Sequence, residues 1–457
     1  MAGKNQDRLQ AIYGVVAHSA SQTEVKVLDS ALIVVDSAGR IVALEADLPR
    51  ADIAWKLAEL NLDQCPVREL SREQFLIPGF VDTHNHAPQW MHRGLGQGMQ
   101  ILDWLSKIAF PNEARLKDTA YARKAYNAVV TGMLRQGVTT ASYYGSLHGE
   151  ATEILADICL DKGQRALVGK CNMNRNSPDY YRDASVDESL RVTRDCIAHI
   201  KSIDPEGKLV RPVLTPRFAI SCEESLLAGL GELAAENPGM AIQTHFNESE
   251  QETSTTLSLF PGFANEADLY AHYGLLTPHS ILAHCTLMTP YEMQRLQGLG
   301  CGIAHCPTAN MTVGGGFMAA PVHEFLERGI DVGLGTDSGG GYSPSILNAM
   351  RHALVASFAR DFIYAKNGDA SLSLDQVFHM ATIGGARVVG FGDEIGDFTI
   401  GKQFDALLVD MGTLRGGVAT PLQPEDSSRT MFDKFIMTGD DRNIVAVFTQ
   451  GREVFTS

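Results

Sequence analysis

Four histidines and an aspartate stand at or near the ends of short apolar runs: His84 and His86 in PGFVDTHNH, His245 in AIQTHFNE, His284 in SILAHCT and Asp337 in DVGLGTDSGG. His84 and His86 are separated by one residue, and the alternation of a strand puts both imidazoles on one face, within reach of one ion. Alone such a pair says little. Joined by further imidazoles and a carboxylate at other strand ends, it describes a site for Zn²⁺, with Fe²⁺ a close competitor. Glu248 follows His245 by three residues, where a carboxylate can carry protons between an attacking water and a substrate. The competing reading, a first-turn helix glutamate favoured by the macrodipole, needs no chemistry. Arg217, in LTPRF, offers a planar fork for a carbonyl or carboxylate. Gln89, just beyond His86, carries both a donor and an acceptor and so matches a nucleobase edge. The fourth run ends in Thr215-Pro216-Arg217, with no lysine to be carbamylated as a bridge between two metals, which points to one ion.

The remaining histidines, among them His18, His92, His148, His199 and His379, are expected to be solvated or satisfied in the core. His148-Gly149-Glu150 imitates half of a cytidine-type zinc deaminase motif, but no PCxxC follows it. His305 ends a run beside Cys306 and gains no role from the sequence.

For these groups to meet, the runs that carry them must be strands of one closed sheet. Four such runs precede His245 (78–86, 137–145, 166–174 and 210–218) and four begin with it (241–248, 280–286, 301–310 and 331–340). Amphipathic segments separate them. Ala122, Ala125, Tyr126, Val129, Val130 and Met133 follow helical spacing, and Leu226, Leu227, Leu230 and Leu233 form a stripe ending at Asn237-Pro238-Gly239. Eight strand-then-helix units in series predict an α/β fold, a parallel (β/α)₈ barrel whose chemistry collects at the C-terminal strand ends. Its interior is only wide enough for side chains, so residues from opposite walls meet over the axis. The glycine triplets at 314–316 and 339–341 are expected as mobile loops at the mouth.

Both ends of the chain read differently. Alternating Val- and Ile-rich stretches over 9–56, with Asp36 and Gly39 at a turn, resemble 404–411 and 443–455, which carry a Gln450-Gly451 turn. One small β-sandwich built from residues 1–77 and 396–457, around a barrel of 78–395, is the expected organisation.

The 457 residues allow a large core, and 38 Lys+Arg against 54 Asp+Glu give a net charge of −16. That charge disfavours nucleic acid and anionic membrane surfaces as partners. No apolar stretch is long enough to span a bilayer, and the opening MAGKNQDRLQ lacks a secretory profile. Eight dispersed cysteines without a CxxC argue against a disulfide framework or zinc ribbon, and a cytoplasmic location is expected.

PGFVDTHNHAPQ, ILDWL, GVTT, GKCNMNRN, TPRF, the His245/Glu248 pair, IAHCPTAN, GLGTDSGGGYS, EIGDFTIGKQFDALLVD and GDDRNI together resemble the amidohydrolase superfamily, and within it the guanine deaminases, over nearly the whole chain. The resemblance implies that His84, His86, His245 and Asp337 hold a single zinc ion. It gives His284 a hydrogen bond to the attacking water and Glu248 the proton shuttle, with Asp337 also catalytic. Gln89, Arg217 and Phe218 would hold guanine, with His245, Glu248 and Asp337 also facing it. A homodimer and zinc-dependent hydrolysis of guanine to xanthine and ammonia are the further implications. A related enzyme acting on another aminated purine, pterin, triazine or nucleoside is the nearest rival. An inactive barrel scaffold is the rival of another class.

Overall fold

The computed structural model describes residues 10–365, 371–412 and 422–456. The first nine residues, on which most of the leader expectation rests, lie outside them. Among the described residues no helix is long and apolar enough to cross a membrane.

The Val- and Ile-rich N-terminal stretches form β1 (Gln10–Ser21), β2 (Glu24–Val35) and β3 (Ile41–Glu45), followed by the short β4 (Val67–Glu69) and β5 (Gln74–Pro78). β1 lies antiparallel to β2 and parallel to β4 and β5. Asp36 makes the β2–β3 turn: its Oδ1 accepts from the Ala38 and Arg40 amides at 2.9 and 2.8 Å. Gly39 adopts φ +78°, and a Cβ there would lie 2.0 Å from the Gln450 carbonyl oxygen, so no side chain fits.

The barrel strands follow: β6 (Phe80–His86), β7 (Val138–Tyr144), β8 (Arg165–Gly169), β9 (Cys171–Asn172), β10 (Val210–Pro216), β11 (Ala241–Phe246), β12 (Ser280–His284), β13 (Gly302–His305) and β14 (Val332–Leu334). Each expected run contains one of these strands, with β8 and β9 forming the third as two pieces. Between them Lys170 turns its ammonium onto Asp183, at 2.6 and 2.7 Å. Every ladder is parallel, and β6 and β14 lie side by side where the nearly closed barrel ends. The intervening helices bury the stripes that predicted them. The helix Thr119–Arg135 starts at Asp118, whose side chain accepts from two first-turn amides, and buries Ala122, Ala125, Tyr126, Val129, Val130 and Met133.

The chain then returns to the first sheet through β15 (Ala406–Asp410), β16 (Ile444–Thr449) and β17 (Arg452–Thr456). The path runs β3-β2-β1-β5-β15-β16-β17, so strands from the two ends join between β5 and β15. Gln450 and Gly451, at φ 50° and 70°, make the tight β16–β17 turn. Ile12, Val16, Ile33 and Leu76 share one apolar core with Phe404, Leu408 and Phe448.

A buried ion pair ties sheet to barrel. Arg165 of β8 reaches Asp405 through Nε and Nη2 at 3.3 and 3.4 Å, and Asp405 also accepts from the Gln450 amide at 2.8 Å. Asp405→Ala would leave the buried guanidinium, among the described residues, with the more distant Glu394 as counter-charge. We expect it to lower stability by about 3 kcal/mol or more, seen as a fall in thermal midpoint. An unchanged midpoint would show that the pair contributes nothing.

Candidate active site

The strand ends converge as the closed sheet requires. β6 brings His84 and His86, β11 brings His245, β12 brings His284, and Asp337 follows β14. All are buried. His86 Nε2 lies 3.0 Å from His245 Nε2, and Asp337 Oδ1 is 3.3 Å from His84 Nε2 and 3.5 Å from His86 Nε2. Ligand atoms of His84, His86 and His245, and of His84, His284 and Asp337, form two overlapping sets, each within 4.8 Å.

This donor set fits a metal ion. Burial holds the His86 and His245 imidazoles well below their ordinary pKa, so they are neutral with a lone pair to give. The His245 Nδ1–H donates to the Arg217 carbonyl at 2.6 Å, which fixes the tautomer and turns the Nε2 lone pair toward the centre. His84 Nε2 and His284 Nε2 are buried without a hydrogen-bond partner. Burial would raise the Asp337 carboxyl, but the His84 ring beside it and the other imidazoles around it hold it down at about 2, ionised and ready to coordinate. Backbone strain marks the same place: Asn247, His284, Cys285 and Asp337 take φ between 45° and 77° without being glycine.

Glu248 sits just ahead of the helix Glu250–Leu259, where its main-chain amide donates to Glu252 Oε2 at 3.2 Å. Its Oε1 is 3.7 Å from His284 Nε2. Burial pushes its carboxyl up to about 7, against the pull of His284. A group of that pKa exchanges protons readily near neutrality. His284 donates Nδ1–H to Asn310 Oδ1 at 2.8 Å. Burial works against its protonation, but Glu248 and Asp337 outweigh burial and raise its pKa.

One cavity is lined by His86, His245, Asp337, Glu248, Gln89, Arg217 and Phe218. His84 and His284 do not line it. Ile101, Trp104 and Leu105 of the ILDWL segment, with Val313, supply its apolar wall. That role for the segment becomes visible only in the folded chain. Trp90 points elsewhere: its ring packs on Gly132, where a Cβ would come within 2.3 Å of it, and the Arg93 guanidinium covers it at 3.4 Å. The glycine triplets do lie at the mouth, but main-chain bonds tie them down, from Gly314 N–H to the Met99 carbonyl at 2.9 Å and from Gly341 N–H to the Asp337 carbonyl at 2.7 Å.

Two carboxylates that the sequence reading left without roles organise the site. Asp82 spans the barrel seam: it accepts from the Thr336 amide at 2.9 Å, the Thr336 hydroxyl at 2.5 Å and Asn85 Nδ2 at 2.9 Å. The Asp337 amide donates to the His84 carbonyl at 2.9 Å beside it, so the first and last strands hold His84 and Asp337 in register. Glu113, at the end of the short helix Phe110–Glu113, is fully buried and holds both Gln89 and Arg217. Its partner pattern is visible only in three dimensions.

Residues 75–454 match the model of the amidohydrolase family. The probable guanine deaminase of Schizosaccharomyces pombe is 41% identical over 443 residues, covering 96% of this chain and 82% of that protein. The guanine deaminase of Dictyostelium discoideum is 36% identical, covering 96% of this chain and 97% of that one. The crystal structure of the guanine deaminase from C. acetobutylicum with bound guanine superposes with a TM-score of 0.87 at 30% identity, over 98% of this chain and all of that one. With the barrel, the strand-end donor set and a family match across most of its length, this chain belongs to the amidohydrolase family.

Proposed function

We propose that this protein is a zinc-dependent guanine deaminase that hydrolyses guanine to xanthine and ammonia. The observation that carries the reading is the single cavity in which His86, His245, Asp337 and Glu248 meet Gln89, Arg217 and Phe218. The names of the similar proteins agree with it. His84, His86, His245 and Asp337 would hold the ion, which when bound supplies water acidified from about 15.7 to about 7. Glu248 then takes one proton from the attacking water at a carboxylate oxygen and gives it to the ring nitrogen; it carries the second, released as the new C2–OH becomes a carbonyl, to the departing amine, so that the C2–N bond breaks and ammonia leaves. His284, anchored on Asn310, keeps that water oriented. Arg217 donates to the C6 carbonyl, Gln89 meets the ring edge and Phe218 covers its face. These fixed donors stabilise the charge that develops as C2 becomes tetrahedral more than they stabilise the planar base.

The reading includes a homodimer. Val355, Phe358, Phe362 and Tyr364, along and just after the helix Ile346–Arg360, are all more than half exposed and form an apolar stripe for a second copy to cover.

The test is ammonia release by the zinc-loaded protein on guanine, with adenine, cytosine and guanosine in parallel. Turnover confined to guanine is the expected result. Absence of turnover on guanine, with metal confirmed in place, would overturn the reading and move the search to other amine-bearing rings.

A further inference from the structure

Arg217 carries its positive charge at the edge of the cavity, and each of its terminal nitrogens gives one of its two N–H groups to a single carboxylate. Nη1 donates to Glu113 Oε2 at 2.9 Å and Nη2 to Glu113 Oε1 at 3.1 Å, a two-point pair with both residues buried. Gln89 Nε2 donates to Glu113 Oε1 at 2.7 Å, and the Tyr181 hydroxyl donates to Oε2 at 2.7 Å. The four bonds satisfy the carboxylate. Burial alone would raise the Glu113 carboxyl, but the Arg217 charge and these bonds hold it below its ordinary range, so it remains an anion.

Two consequences follow from elementary chemistry. First, the guanidinium and the carboxylate cancel, and this wall of the pocket offers directed N–H groups without net charge. Such a wall hydrogen-bonds a carbonyl, but returns little to an anion that has lost its water on entry. Second, Gln89 cannot turn its amide over. The flipped form would set Oε1 against a carboxylate oxygen, two acceptors face to face. Its Oε1 is therefore kept as an acceptor, and it is buried with no partner of its own.

We propose that Glu113 is a specificity-determining positioning residue: by cancelling the Arg217 charge and pinning the Gln89 amide, it makes the pocket select uncharged lactams and reject anionic analogues of the same ring. The proposal rests on the reading of the cavity as a guanine site and goes beyond it, because an arginine alone would serve a carboxylate at least as well as a carbonyl.

The experiment is calorimetric binding of two ligands that carry no amine, hypoxanthine and purine-6-carboxylate, to the zinc-loaded wild type, E113Q and E113D. The wild type should bind hypoxanthine at least about tenfold more tightly than the carboxylate. In E113Q the unmasked Arg217 should shift that ratio at least about tenfold toward the carboxylate, with zinc content unchanged. E113D, which restores the charge, should return the ratio toward wild type. A purely structural role would weaken both ligands alike, so equal losses or an unchanged ratio in E113Q would overturn the proposal. If E113Q does not fold, the wild type decides alone: a carboxylate bound as tightly as hypoxanthine overturns the proposal, and the stated preference supports it. Neither ligand is deaminated, so a failure here is distinct from a failure to release ammonia from guanine.

Discussion

Glu248→Gln should reduce kcat on guanine by at least about 10³-fold while leaving metal content and guanine affinity within a few fold of wild type. The substitution preserves shape and removes only the capacity to take and give a proton. General acid–base contributions run to about 10²–10⁴, and in the proposed reaction one carboxylate serves both the attacking water and the leaving amine. The geometry argues for the upper part of that range. Glu248 is buried on the cavity wall, its main chain is held by Glu252, and its carboxyl is raised to about 7. Among the described residues the other carboxyl lining the cavity is Asp337, which is held ionised at about 2 among the imidazoles. Steady-state kinetics with metal analysis and equilibrium binding of guanine check the prediction. Turnover at the wild-type rate in the variant would remove Glu248 from the shuttle role.

Stripping the metal should abolish turnover and also destabilise the fold. His86 and His245 face each other through Nε2 at 3.0 Å, and His84 and His284 bury Nε2 atoms that no protein group pairs among the described residues. Since the His245 Nδ1–H is committed to the Arg217 carbonyl, the pair must share a single proton or leave two lone pairs opposed. A cation relieves all of this only in the folded state. Free zinc a thousandfold above its dissociation constant stabilises by about 4.1 kcal/mol. Chelated protein should therefore melt at a lower temperature and recover on titration with Zn²⁺, and His86→Ala should blunt the recovery. A melting temperature indifferent to zinc would mean that the cluster does not hold the ion.

The histidines and the aspartate that converge at the strand ends could be read from the sequence because their positions depend on local pattern alone. Each apolar run marks a strand, and its last polar residue marks the strand's C-terminal end. Glu113 could not be read that way. Its partners lie 24, 68 and 104 residues away along the chain, and a glutamate in PNEAR looks like any solvated helix residue until the fold buries it. Asp82 stood in the quoted motif, but its partner Thr336 is 254 residues away. Trp90 follows Gln89 directly, and only the small Gly132 opposite decides that its ring leaves the pocket. At the ends of the chain, the twelve-residue β1 and β2 announced themselves by alternation, whereas three-residue β4 and five-residue β5 are too short to show a period.

β5 is joined to β6, which carries His84 and His86, through Gly79 alone; one of its ladder partners is the nearby β1, but the other comes from the far end of the chain, with Pro78 opposite Ala406. On a ribosome adding about 5–20 residues per second, β5 therefore waits roughly 15–65 s for β15 to be made. During that interval β1, β2 and β5 present an open strand edge, the kind of surface that recruits other nascent chains. Cellular yield is therefore expected to depend on translation speed and chaperone supply as well as on the equilibrium stability of the finished protein.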